Sequence, residues 1–205
     1  MTVDNKKHWE TIYKTKNPGQ VSWTQETPKI SLEFIKSFGP SKNAKIIDIG
    51  GGDSKLVDYL LDQGFKNITV LDISAKSLEK AKIRLGEKAN KVTWIVSDIT
   101  EFEPETTYDI WHDRASFHFL TTAEQIKKYM KTARKSINTF LIVGTFSKNG
   151  PEKCSGLEIK KYDEKELTSE FKNGFDKIKC VTADHLTPFG TTQNFLFCGF
   201  KKQSR

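Results

Sequence analysis

Two periods alternate along this chain. Short apolar runs at 45–49, 68–71, 92–96, 108–111 and 140–145 read as strands, and most are followed by segments with apolar residues at helical spacing. Helices are predicted over 54–63, 74–85, 121–136 and 163–174. The first is closed by Gly64, the second is capped by Ser74, the third carries capping boxes from Thr121 and Thr122 to Glu124 and Gln125, and the fourth pairs Asp163 with Glu166. Ahead of them, 4–16 places His8, Trp9, Ile12 and Tyr13 on one helical face, Asn17-Pro18-Gly19 breaks that helix, and Pro28 opens another through Phe38. Runs at 178–183 and 195–200 follow, joined by a loop with Pro188 and Gly190. Strands separated by helices pair in parallel, whereas a connection too short for a crossover helix makes the last pair antiparallel.

The turn after the first run reads I-I-D-I-G-G-G-D-S over 46–54. Glycine there lets the backbone turn sharply and approach a ligand at a helix N-terminus. The spacing departs from the nicotinamide fingerprint, because no glycine stands at the last position and Asp48 precedes Gly50, giving D-x-G-x-G-x-S. Asp72 stands at the tip of the second strand, suited to the hydroxyls of an unphosphorylated ribose. Asp98, at the tip of the third, pairs an acceptor for an exocyclic amine with the apolar wall of Ile99. Three acids at successive strand tips favour a nucleoside without phosphates.

Together these positions resemble the class I S-adenosylmethionine-dependent methyltransferases over nearly the whole chain. The resemblance implies an α/β fold: a Rossmann-like seven-stranded sheet, mostly parallel with an antiparallel last strand, and helices on both faces. It implies one domain, with 1–28 as a lid segment and 29–205 as the core, and S-adenosyl-L-methionine as cofactor. The nearer likeness is to the branch with elongation-factor lysine methyltransferases and bacterial relatives, through Trp9 and Tyr13 in the first helix, Trp23 downstream, and Asp113-Arg114 after the fourth strand. Carried over by position, Trp9, Tyr13 and Trp23 help form the cofactor pocket. The loop Gly50, Gly51 and Gly52 follows, with Gly50 at the methionine part. Asp72 and Ile73 meet the ribose, and Asp98 and Ile99 the adenine. Arg114 replaces a lysine that contacts the cofactor, and can pair with its carboxylate.

Departures bear on the acceptor. H-D-R-A-S-F-H-F-L at 112–120 is not the D/N-P-P-Y/F of families that methylate exocyclic or amide nitrogens, which argues against a nucleic-acid base. The segments 154–157 and 187–193 also differ from the lysine-modifying members. A small-molecule acceptor is therefore the first expectation, and a protein lysine the alternative. A non-catalytic cofactor-binding module is the third reading. Near strands four and five, His112, Asp113, His118 and Thr145 are candidates to take a proton, His118 and Asp113 first, with Phe117, Phe119 and Phe146 as walls. Cys154, His185 and Gln193 lie in loops within reach.

Composition changes little. The formal charge is +7, but lysines spread over many amphipathic stretches supply it, so solvated helix faces explain it better than nucleic acid. Cys154, Cys180 and Cys198 form neither a disulfide framework nor a zinc pattern. No apolar run reaches the ~20 residues of a membrane span. Residues 1–10 lack a secretory apolar core, so a cytoplasmic protein is expected.

Overall fold

A computed structural model describes residues 4–204. The strands of the main sheet are β1 (Lys45–Ile49), β2 (Asn67–Asp72), β3 (Val92–Val96), β4 (Tyr108–Arg114), β5 (Ile137–Phe146), β8 (Phe175–Leu186) and β9 (Thr192–Lys202). Between β5 and β8, the short strands β6 (Lys153–Cys154) and β7 (Leu157–Glu158) form a separate hairpin. The helices are α1 (Asn5–Thr15), α2 (Lys29–Ser37), α3 (Leu56–Asp62), α4 (Ala75–Leu85), α5 (Ala123–Ser136) and α6 (Glu164–Phe171).

The sheet order is β3-β2-β1-β4-β5-β9-β8. β1 to β5 pair in parallel, and β9 runs antiparallel to both neighbours. This is the expected seven-stranded Rossmann-like sheet. Parallel strands are covered on both faces, so their sequences are nearly all apolar. Ile46, Ile47 and Ile49 are each fully buried. One face packs under α2, α3 and α4 through Phe34, Leu60 and Leu78, and the other under α5 and α6 through Tyr129, Met130 and Phe171. Chain order reverses between β1 and β4. In open α/β sheets such a switch point leaves a crevice at the carboxyl ends of the strands.

Several elements differ from expectation. β4 continues through His112-Asp113-Arg114, which the sequence reads as a tip, because the ladder runs on with Asp113 opposite Val143 and Arg114 opposite Gly144. β8 and β9 extend well beyond their apolar runs, since a hairpin pairs polar residues as readily as apolar ones, here from Phe175–Lys202 to Leu186–Thr192. That register sets Cys180 opposite Cys198, and the two form a disulfide with a Cα–Cα distance of 4.2 Å. This corrects the reading of unpaired cysteines; linear spacing does not reveal cross-strand register. Among the described residues no helix is long and apolar enough to cross a membrane.

Candidate active site

The loop after β1 needs its glycines. Gly50 and Gly52 have φ of 63° and 49°, left-handed values that side chains disfavour. A Cβ on Gly51 would stand 2.7 Å from both Asp48 Oδ2 and Val70 Cγ1, and one on Gly52 2.8 Å from the Tyr13 hydroxyl. Gly51 N donates to the Leu71 carbonyl (3.1 Å), tying the loop to β2. Arg84 of α4 braces the far side, donating to the Asp53 and Ser54 carbonyls (2.7 and 2.9 Å) and pairing with Asp58. Beneath the loop Asp48 is buried and accepts from His112 Nδ1 (2.7 Å), while His112 Nε2 accepts from the Ser31 hydroxyl (2.8 Å). His112 thus anchors the loop and does not stand beside an acceptor.

A cavity of about 210 Å³ opens above these strand ends. Gly50, Gly51, Asp72, Ile73, Asp98, Ile99, Arg114, Trp9, Tyr13 and Trp23 all line it. Gly52 does not; it lies against Tyr13. Asp72 Oδ1 accepts from Ser74 N (2.8 Å). Burial pushes the Asp72 carboxyl up to about 7 against these hydrogen bonds, and the charge of Asp48 adds to the rise. Asp98 accepts from Thr100 N and Oγ1 (2.8 Å each) through Oδ1 alone.

α1 roofs the cavity. Its Glu10 carboxylate caps α4, accepting from Ala75 N (2.6 Å) and Lys76 N (3.3 Å), where the helix dipole favours an anion. Lys80 Nζ of α4 donates to the Lys16 carbonyl at the other end of α1 (2.6 Å). Trp9 packs edge-on against Trp23 and Phe119, with centroids 5.4 and 5.2 Å away. An ion pair between Lys55 and Glu26 and a hydrogen bond between Thr27 and Tyr59 (2.8 Å) hold the connecting segment.

The wall beyond β4 departs most from expectation. Arg114 donates through Nη1 to the Trp23 carbonyl (3.0 Å), and its guanidinium lies 5.1 Å from the Phe195 ring centre. Its Nε and Nη2 are buried without a partner. Burial lowers the guanidinium to about 10. Asp113 is fully buried behind the wall, where Oδ1 accepts from Ser116 N and Phe117 N (3.1 and 3.0 Å) and shapes the turn after β4. His118 is also fully buried, its ring stacked on Phe146 at 4.4 Å. Burial and the nearby Arg114 push it down to about 3. Neither residue lines the cavity. The expectation that one of them meets an acceptor is corrected: the polar segment that suggested it folds into the strand and the turn behind it. Thr145 is likewise sealed off.

Sequence reasoning passed over Ser116, Gln125, Lys55 and Arg84, which also line the cavity. Gln125 was legible only as a cap. Cys154 is brought to the wall by the β6–β7 hairpin, and burial pushes its thiol up to about 12. His185 and Gln193, read as loop residues, face each other in the β8–β9 ladder, and His185 fastens the end of β8 to the segment after α1, donating through Nε2 to the Ser22 carbonyl (2.6 Å).

A family model described as a methyltransferase domain matches residues 46–139. The chain is 23% identical over 209 residues to the EEF1A lysine methyltransferase 2 of Danio rerio, covering 94% of this chain and 84% of that one. It is 38% identical over 81 residues to the malonyl-[acyl-carrier protein] O-methyltransferase of Anoxybacillus flavithermus, covering 39% of this chain and 30% of the relative. The eEF1A lysine and N-terminal methyltransferase of Mus musculus is 24% identical over 58% of this chain, which spans only 17% of that protein. In fold, the N-methyltransferase NodS from Bradyrhizobium japonicum, solved with S-adenosyl-L-homocysteine, superposes with a TM-score of 0.73 at 13% identity, over 98% of this chain and all of that one. The matched segment, a little under half of the chain, is the one that builds the loop, the strand-tip acids and the β4 wall, and together with these relatives it supports a class I S-adenosylmethionine-dependent methyltransferase.

Proposed function

We propose that the chain transfers a methyl group from S-adenosylmethionine to a small-molecule acceptor. The observation that carries this reading is that Asp72 and Asp98 line the same cavity as the glycine loop. Gly50 and Gly51 offer backbone without side chains, Asp72 with Ile73 suits a ribose diol, and Asp98 with Ile99 suits an adenine. Gly52 supports this loop from beneath Tyr13. Trp9, Tyr13 and Trp23 close the top as a lid. The cofactor, when bound, supplies a methyl group already activated on a sulfonium. The chain's task is to position the acceptor and exclude water.

Calorimetric titration with S-adenosylmethionine and S-adenosylhomocysteine tests the reading. Binding of both is expected, and no measurable affinity for either overturns it. A second reading, methylation of a protein lysine, draws on the zebrafish relative's coverage of nearly the whole chain. Incubating cell extract with methyl-labelled donor separates the two. Label confined to low-molecular-weight products rejects the lysine reading, and label confined to protein rejects ours. Any turnover excludes a purely non-catalytic module.

A further inference from the structure

Among the described residues, the cavity wall beyond β4 holds a single charged side chain, Arg114. Nη1 is spent on the Trp23 carbonyl, while Nε and Nη2, the side-on fork of the guanidinium, are buried with no partner. The groups around that fork are neutral: the Phe195 ring, the Cys154 thiol, and the imidazoles of His118 and His185, both depressed by burial and by Arg114 itself. Asp48, whose charge reaches Arg114, is already bonded to His112 beneath the loop. A buried fork without an anion is costly, and its geometry matches a planar oxyanion.

The same wall lacks a proton acceptor. Asp113 and His118 stand behind it, and Cys154 stays protonated across the ordinary pH range. The remaining carboxylates of the cavity, Asp53, Asp72 and Asp98, stand at or just beyond the carboxyl ends of β1, β2 and β3, on the far side of the switch point.

We propose that the acceptor is a small carboxylic acid, held by the Nε–Nη2 edge of Arg114 and methylated on a carboxylate oxygen. The inference rests on the methyltransferase reading above and names its substrate class. An ionised acid has no proton to lose, so it needs no base. Each of its oxygens keeps a lone pair beyond the one given to the guanidinium. One oxygen forms a bond to the methyl carbon as the carbon–sulfur bond breaks, with the electron pair left on sulfur. Carboxylate and sulfonium charges cancel, giving a neutral methyl ester and a neutral thioether, and no proton is released. An ammonium acceptor, a lysine included, would meet a like charge here and find nothing on this wall to take its proton.

The test incubates the protein with tritium-methyl-labelled donor and three probe acids, hexanoate, benzoate and a malonyl thioester, beside the low-molecular-weight fraction of a cell extract. Mild alkali follows. Methyl esters release volatile labelled methanol, whereas N-, S- and ether-linked methyl groups do not. Alkali-released label is the expected result. Label found only in alkali-stable products overturns the inference and leaves the methyltransferase reading standing. No transfer to any small molecule or protein overturns both. In a second arm Arg114→Gln and Arg114→Lys, each checked for folding by thermal melt, are titrated with S-adenosylhomocysteine. Unchanged affinity is expected, with KM for the methylated acid raised about 100-fold in Arg114→Gln. Loss of S-adenosylhomocysteine affinity with KM unmoved assigns the fork to the donor's own carboxylate and overturns the proposal.

Discussion

Asp72 holds its carboxyl in a nearly closed wall, where burial raises it to about 7 from an ordinary value of 3.8. An acid raised on folding contributes full stability below its unfolded value and loses that contribution as pH climbs to the folded one. Asp72→Asn should therefore stabilise the ligand-free protein by about 2–4 kcal/mol above pH ~7, with the gain gone below pH ~4. Thermal melts of both proteins across that range check it, and a gain independent of pH would refute the assignment. The same variant should bind S-adenosylmethionine more weakly by about 1–3 kcal/mol, read by calorimetry, because an amide offers one acceptor oxygen and a donor where the carboxylate offers two acceptor oxygens. Gly51→Ala is expected to cost about 1–3 kcal/mol in stability, since its Cβ has Asp48 and Val70 at 2.7 Å. A wild-type melting temperature would show that the loop relaxes freely. The role of glycine here was legible from residue type, but the clash that demands it was not, because Val70 belongs to another strand.

At the scale of elements, α1 reaches the body of the molecule at both ends. Glu10 caps α4, and Lys80 of α4 holds the Lys16 carbonyl. Glu10→Ala should weaken this docking by about 1 kcal/mol, which is roughly fivefold in an equilibrium. If α1 serves as the lid, stopped-flow release of S-adenosylhomocysteine accelerates by a similar factor. An unaltered release rate would make α1 a fixed wall. Trp9→Ala, by removing the centre of the Trp23–Phe119 cluster, should lower affinity for the same ligand. Helix caps such as Ser74, Thr122 and Asp163 were readable in advance because each bonds within its own first turn. Glu10 was not, since it caps a helix 65 residues away.

Over the whole molecule, the disulfide joins the two strands that close one side of the sheet, 18 residues apart. Closing a loop of that length is worth about 3 kcal/mol, or roughly 6–12 °C in melting temperature for a chain of this size. Cys180→Ser, or reduction of the wild type, should lower the melting temperature by that much. Equal melts with and without reductant would mean that the bridge does not form. The long hairpin also carries His185, near the end of β8, which secures the segment after α1, so the sheet edge and the cavity roof are mechanically joined.

What the amino-acid order determined by itself was local: the alternating periods, the caps, the glycine turn and the acids at or just beyond the ends of β1, β2 and β3. Each depends on residues a few positions apart, or on the rule that strands linked by helices pair in parallel. The tertiary structure alone decided which polar groups face the cavity. His112, Asp113 and His118 read alike in sequence, yet strand pairing turns the first beneath the loop and seals the other two behind the wall. The buried fork of Arg114 and the pairing of Cys180 with Cys198 arise the same way, because register and burial are set between strands distant in the chain.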